Sequence, residues 1–289
     1  MRDPFGWLGA TVQARYRVDE VVGEGGFGVV YRAFHLGLGE QVALKCLKLP
    51  PSLPAVERER FLATFHAEAK VLHRLSRANA AVVQALDVGA AESPCGVWTP
   101  FVVLEWLDGV PLDQELQKAE AAPRSIQAAV ELLEPAALAL AEAHRQGIAH
   151  RDIKPANLFL ATVAGRRGLK VLDFGIAKVL TETASVTQAM AETGASIQAF
   201  TPQYGAPEQF DRRYGATGPW TDVFALALVL VEVITGHPAL DGQDTIQLMV
   251  ASANPGTRPT PGTRGVQLPA AVEAVLERRR HRGGLLQDL

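Results

Sequence analysis

The stretch HRDIKPAN, residues 150–157, places a carboxylate (Asp152), two cations (Arg151 and Lys154) and a carboxamide (Asn157) within eight residues. A helical pattern runs up to Gly147, and the apolar Leu158, Phe159 and Leu160 follow. A helix feeding a tight polar loop that feeds a strand projects side chains into a cleft. The spacing suits phosphoryl transfer: Asp152 to accept a hydroxyl proton, Lys154 to neutralise phosphate charge, Asn157 to ligate a divalent metal. Such a site also needs a phosphate cradle, a second metal ligand and a core to carry both.

Upstream, residues 16–36 read YRVDEVVGEGGFGVVYRAFHL. Two β-rich runs, Val18–Val22 and Val29–Phe34, flank Gly23-Glu24-Gly25-Gly26-Phe27-Gly28, which predicts a hairpin with a glycine-rich tip. Glycine lets backbone N–H groups approach an anion closely. A dinucleotide fold would follow this loop with a helix, whereas a second β-rich run (Val29, Val30, Tyr31) follows here, so a flap over phosphates is favoured over a Rossmann turn. Residues 40–47, EQVALKCL, alternate as a strand: Val42, Leu44 and Cys46 on one face, Ala43, Lys45 and Leu47 on the other. Lys45 is either an edge lysine whose amine snorkels to water or a lysine aimed at phosphates. Over 56–76, Phe61, Phe65, Glu68, Leu72 and Leu75 recur at helical steps, so Glu68 sits on an apolar stripe and needs a partner. Lys45 is the expected one.

Two further strands are expected at Val82–Val88 and Trp98–Leu104, then a lobe boundary in the polar break at 105–110, then a helix over 125–146 with Ser125 as N-cap and Pro135 as a possible kink. In KVLDFGIAK, 170–178, Asp173 follows a short strand, and with Asn157 it offers oxygen ligands suited to Mg²⁺. Residues 178–200, rich in Thr, Ser, Ala and Gln, read as a mobile surface segment. The apolar run Val223–Val231 is too short for a bilayer, which takes about 20 residues, and reads as a buried helix.

The chain has 289 residues, 48% of them hydrophobic, enough for one large domain or two lobes around a cleft. Net charge of −3 gives no footprint for nucleic acid, and the basic run Arg278–Arg282 reads as a solvated helix end. The only cysteines, Cys46 and Cys95, make neither a disulfide framework nor a metal cluster; a reducing, cytoplasmic setting is expected, with no signal peptide and no membrane span. Residues 1–15 read as a short leader.

Together these residues resemble the eukaryotic-like Ser/Thr protein kinases of bacteria, over roughly 16–276. GEGGFGVV (23–30) resembles the glycine-rich loop, VALK (42–45) the lysine motif, HRDIKPAN the catalytic loop, DFG (173–175) the metal-binding motif and APE (206–208) the end of the activation segment, with Glu68 in place of the paired glutamate. Lys154, and Thr201 ahead of APE, resemble Ser/Thr rather than Tyr kinases. The resemblance implies an α+β bilobal fold: a leader at 1–15, a β-rich N-lobe at 16–104, a hinge at 105–110 and a mainly helical C-lobe at 111–289. It implies ATP and Mg²⁺ as cofactors. Backbone amides from Gly23 to Gly28 cover the phosphates, Lys45 contacts them and is positioned by Glu68, and Asp173 and Asn157 hold Mg²⁺. Asp152 orients and deprotonates the hydroxyl, and Lys154 stabilises the transferring phosphoryl group. Val22, Val29, Val30, Ala43 and Phe159 would enclose the nucleotide, with Glu105 C=O and Leu107 N–H on the adenine edge and Leu104 as gatekeeper. Partners would be proteins bearing Ser or Thr, with self-association possible for autophosphorylation. Arg151 implies a phosphate-held activation loop, with Thr187, Thr193 and Ser196 as candidate sites, unless a loop so rich in Ser and Thr is simply flexible.

The chain departs from the pattern at Phe200, where Gly usually precedes the Thr, at Ala227, and at its C-terminal end, where no Arg follows Arg282. Glu208 then lacks its usual partner unless Arg280 or Arg282 substitutes. The departures at Phe200 and at the C-terminal end are the support for an alternative, a kinase-like nucleotide-binding scaffold without catalysis. A small-molecule phosphotransferase is disfavoured by the APE segment.

Overall fold

A computed structural model describes residues 3–26, 28–50, 53–118, 123–163, 165–174, 200–254 and 259–277. The chain forms two compact units, dividing between Asp108 and Gly109 and again between Leu172 and Asp173, and returning to the second unit at Phe200. The first division falls inside the expected hinge. The second puts Asp173 and Phe174 with the first unit rather than with an unbroken 111–289.

The first unit is a six-stranded antiparallel sheet in the order β1 (Thr11–Val12), β2 (Tyr16–Glu24), β3 (Gly28–His35), β4 (Glu40–Leu47), β6 (Trp98–Glu105), β5 (Ala85–Glu92), with helix α1 over Ala55–Ala78. Alternation fixes the faces. Val29, Tyr31, Val42, Leu44 and Cys46 are buried in one cluster, while Lys45 lies opposite Val30 on the other face. In α1 the residues Phe61, Phe65, Leu72 and Leu75 are buried at the expected steps, and Glu68 is half-buried on the same stripe.

Two expectations shift here. The segment read as a leader is, over residues 3–15, packed into the sheet's own core: Phe5, Trp7 and Val12 are buried with Tyr31 and Leu44. The Asp3 carboxylate accepts the N–H groups of Phe5, Gly6 and Leu8 and, at 2.7 Å, the hydroxyl of Tyr31. Burying a ring the size of Phe5 is worth about 2 kcal/mol, which offsets the ordering of a short polar segment. The strand expected at Val82–Val88 begins instead at Ala85. Val82 and Val83 are buried ahead of that strand, Val82 in an isolated bridge, so their apolar character reports burial and not a continuous strand.

The second unit holds a three-stranded sheet, β7 (Gly109–Pro111), β8 (Leu158–Val163) and β9 (Arg166–Val171), and helices α2 (Leu112–Lys118), α3 (Ile126–Arg145), α4 (Pro207–Phe210), α5 (Pro219–Thr235), α6 (Thr245–Ala253) and α7 (Ala270–Glu277). Helix α3 starts where Ser125 accepts the N–H of Ala128 at 3.2 Å, carries Pro135 internally, and gives way to Gly147 at φ +73°. Helix α5 is the expected buried one. Leu228, Val229, Val231 and Ile234 are buried, and it stops at Gly236 in the left-handed conformation. A sheet-built unit and a mainly helical unit make the α+β fold that the resemblance implies. Among the described residues no helix is long and apolar enough to cross a membrane.

Candidate active site

In the second unit, α3 ends just before the polar loop and β8 begins just after it, so the loop is held at both ends. Asp152 is the centre of its contacts. Lys154 Nζ lies 2.8 Å from Asp152 Oδ2, and Asn157 Nδ2 donates to the same oxygen at 3.1 Å and to the Asp152 carbonyl at 2.8 Å. Lys154 Nζ also donates to Thr201 Oγ1 at 2.7 Å, and the Thr201 N–H and hydroxyl reach Asp152 Oδ1 at 3.2 and 3.3 Å. Asp152 is buried, so its charge depends on these donors. The Asn157 amide is oriented by its bonds to Asp152, which leaves Oδ1 as a hard oxygen ligand of the type Mg²⁺ prefers.

The loop is fixed from below by a residue that the motif reading passed over. Asp222, fully buried in the first turn of α5, accepts the N–H of His150 at 2.8 Å and of Arg151 at 2.6 Å, and His144 Nε2 lies 2.8 Å from it. Arg151 sits at φ +66°, a sparsely populated conformation for a residue of its size. His150 accepts the Asp152 N–H at Nδ1 (3.3 Å) and donates from Nε2 to the Leu172 carbonyl (2.6 Å), which ties the loop to the end of β9. Leu172 N–H in turn donates to the Asn157 carbonyl at 2.8 Å. The sequence signal for Asp222 was present: a carboxylate opening an otherwise apolar helix must find donors.

In the first unit the glycine flap joins β2 to β3. A side chain at Gly23, Gly25 or Gly26 would meet nothing within 4 Å, so these positions leave room above the backbone. Gly28 is different: a Cβ there would lie 2.2 Å from the Cys46 carbonyl, so β3 can approach β4 this closely only without a side chain. Val29 is buried in the core, Val30 and Ala43 are half-buried and Val22 is exposed; Val30 and Ala43 share the face of Lys45. Leu104 is buried and paired with Ala43, and Glu105 ends β6 with Leu107 two residues on. Phe159 lies in β8 of the second unit.

The expected Lys45–Glu68 pair gives way to another. Lys45 Nζ lies 2.6 Å from Asp173 Oδ1. Lys45 is 8% exposed, so its ammonium needs a close counter-charge, and Asp173, held at φ +62° beyond the end of β9, supplies it. Glu68 has interactions of its own.

At the end of the activation segment, Phe200 packs edge-on against Phe210, centroids 4.9 Å apart, and the bare Gly205 makes room for both rings. Tyr204 donates to Glu232 at 2.8 Å; burial pushes the Glu232 carboxyl up, the Tyr204 bond opposes this, and the charge of Asp113 adds to it. Glu208 is buried and accepts the Thr221 hydroxyl at 2.7 Å. The departures at Phe200 and Glu208 therefore have local partners. Phe27, Gly175, Arg280, Arg282 and the candidate phosphosites Thr187, Thr193 and Ser196 lie outside the described residues.

The Asp152–Lys154–Thr201 cluster in one unit, and the glycine flap with its buried lysine in the other, are features of the protein kinase fold. The protein kinase domain family matches residues 16–260, and the chain belongs to it. It is 34% identical to the serine/threonine-protein kinase PknB of Mycobacterium tuberculosis over 263 residues, 91% of this chain and 39% of that protein. It is 33% identical to the serine/threonine-protein kinase pkn3 of Myxococcus xanthus over 262 residues, 89% of this chain and 44% of that protein. The chain thus spans less than half the length of these relatives. Among solved structures, the M. tuberculosis PknI kinase domain matches with a TM-score of 0.58 at 26% identity, covering 81% of this chain and 79% of that one. A double mutant of the same domain matches with a TM-score of 0.66 at 24% identity, covering 96% and 90%.

Proposed function

We propose that the chain is an ATP- and Mg²⁺-dependent protein serine/threonine kinase of bacterial type, acting on protein hydroxyls. The observation that carries this reading is the joint hold of Lys154 on Asp152 and Thr201. Names of relatives and family membership support it. The substrate hydroxyl gives its proton to Asp152 as its oxygen attacks the γ-phosphorus, and ADP leaves. Oδ1, whose contacts to Thr201 are the longest in the cluster, is the oxygen that can accept the hydroxyl. Lys154 offsets the charge that develops on the transferring group. Lys45 would hold the phosphates, with Glu68 as its alternative partner were Asp173 to serve as a metal ligand. Asp173 and Asn157, carboxylate and carboxamide oxygens, would hold Mg²⁺, which when bound neutralises the β- and γ-phosphates.

Val22, Val30, Ala43 and Phe159 enclose the nucleotide in this reading, with the Glu105 carbonyl and Leu107 N–H on the adenine edge; Val29, expected to join them, is fully buried in the core on the opposite face of the sheet and takes no part. Residues 16–104, 105–110 and 111–289 act as lobe, hinge and lobe. Self-association serves autophosphorylation within 181–201, read by Arg151, in a cytoplasmic setting. Transfer of labelled γ-phosphate from ATP with Mg²⁺, compared with Asp152→Asn, tests the enzyme reading. Incorporation that depends on Asp152 is expected, and ATP binding without it would sink the reading. Mass spectrometry of the ATP-treated chain is expected to find phosphate within 181–201; turnover without it would remove the autophosphorylation claim.

A further inference from the structure

The flap carries a carboxylate at the place where the kinase reading brings phosphates. Glu24 closes β2 at the rim of the glycine tip. Left alone, its charge would oppose a triphosphate. Lys48, just past the end of β4, places Nζ 2.6 Å from Glu24 Oε1 and 3.3 Å from the Gly25 carbonyl. One ammonium therefore touches two consecutive flap residues. The Gly25 N–H is itself bonded to the Gly28 carbonyl at 2.9 Å, so Lys48 is tied to a closed turn and not to a loose end. The side chains of Lys48 and Glu24 are 33% and 37% exposed. A pair so exposed adds little to the stability of a sheet. Its effect must be sought in what the flap does.

We propose that Lys48 is a positioning residue for ATP, which cancels the charge of Glu24 and holds the flap tip. The inference rests on the kinase reading above. Lys48 acts through Glu24: with the ammonium gone, the bare carboxylate repels the phosphates and the tip loses its tether to β4. This differs from the part given to Lys45, whose amine is assigned to the phosphates themselves.

The test is a titration of the full chain with a fluorescent ATP analogue, alongside KM and kcat for ATP, in Lys48→Ala, Lys48→Arg, Glu24→Gln and the Glu24→Gln/Lys48→Ala double variant. Arg17→Ala, which breaks the exposed Arg17–Asp19 pair elsewhere on β2, is the control. Lys48→Ala is expected to weaken ATP about threefold to fivefold in both Kd and KM with kcat unchanged, as an exposed charge interaction would. Lys48→Arg restores affinity, the control leaves it unaltered, and in the Glu24→Gln background Lys48→Ala adds a clearly smaller loss, that of the Gly25 tether alone. Unchanged affinity in Lys48→Ala, or an equal loss with and without the Glu24 charge, overturns the proposal. Because binding is read without turnover, the two readings separate. A chain that couples Lys48 to Glu24 in ATP binding but transfers no phosphate fails only as a kinase, and one that binds no ATP fails on both counts.

Discussion

The Asp222 carboxylate accepts the backbone N–H of Arg151 at 2.6 Å and thereby holds a non-glycine residue at φ +66°. The other oxygen takes His150 N–H, so one buried side chain sets the backbone of two residues preceding Asp152. Asp222→Asn puts an amide donor against a backbone donor. It is expected to destabilise the chain by about 1–3 kcal/mol, the cost of a buried unsatisfied group. Phosphate transfer should fall more than ATP affinity, because the loop carries Asp152 while the flap belongs to the other unit. Urea unfolding gives the first effect, and the KM-against-kcat split, with kcat referred to the folded fraction, gives the second; an ATP affinity that falls as far as transfer would sink this division.

Thr201 sits between the two residues assigned to the transfer step. Its hydroxyl accepts from Lys154 and reaches Asp152, so it transmits the position of one to the other. Thr201→Val keeps the shape and removes the hydroxyl. A loss in kcat of about tenfold to hundredfold is expected, in line with displaced catalytic groups, with KM for ATP little changed. Thr201→Ser, which keeps the hydroxyl, should recover most of the rate. Steady-state kinetics on a protein substrate decides between them.

How much of this was legible follows from the kind of signal each residue gives. Strand β4 could be read to its ends, because alternation in EQVALKCL continues without a break, and α1 could be read from its apolar steps. HRDIKPAN was legible as a set because its polar groups are adjacent in sequence. The role of Asp222 was not, since its donors lie some seventy residues away and no local pattern names them. The leader was misread because Phe5 and Trp7 lack periodicity in so short a segment, although two aromatic rings beside Asp3 hinted at packing. The Lys45 pair was half legible: burial predicts that the ammonium needs a carboxylate, but two candidates existed, and the left-handed backbone at Asp173 is a tertiary matter.

Lys45→Met removes the ammonium 2.6 Å from Asp173, whose side chain is 29% exposed. Water can still reach that carboxylate, so the stability cost should stay within about 1 kcal/mol. Phosphate transfer should be abolished while near-UV circular dichroism is kept. Unchanged transfer would remove Lys45 from the phosphates.

Acid should loosen the N-terminal segment first. Burial raises the Asp3 carboxyl, but the N–H groups of Leu8, Trp7 and Gly6 and the Tyr31 hydroxyl outweigh it, and the net shift is downward. A carboxyl whose folded pKa is depressed contributes stability above its unfolded value, and that contribution is lost as pH falls through the folded one. Asp3→Asn is therefore expected to cost about 1–2 kcal/mol at pH 7. The difference from wild type should shrink below about pH 4, where the unfolded carboxyl begins to protonate. Thermal unfolding at a series of pH values follows this, and a gap that persists at low pH would show that charge is not what Asp3 contributes.

Gly205 offers the cleanest test of how the chain accommodates Phe200. Its backbone, at φ −69° and ψ 128°, is open to any residue, so a substitution there acts through contact alone. A Cβ would lie 2.5 Å from Phe200 Cε2 and 2.7 Å from Phe210 Cε2, distances that force the rings apart. Gly205→Ala should therefore cost about 1–3 kcal/mol, as overpacking does. Removing one ring relieves the clash: with Phe200→Gly, the added methyl should cost much less. The coupling between the two changes, read from urea midpoints in a double-mutant cycle, is expected to be at least about 0.5 kcal/mol. Additive effects would mean that Phe200 does not occupy the space beside Gly205, and the residue that departs from the family pattern would then have no partner to explain it.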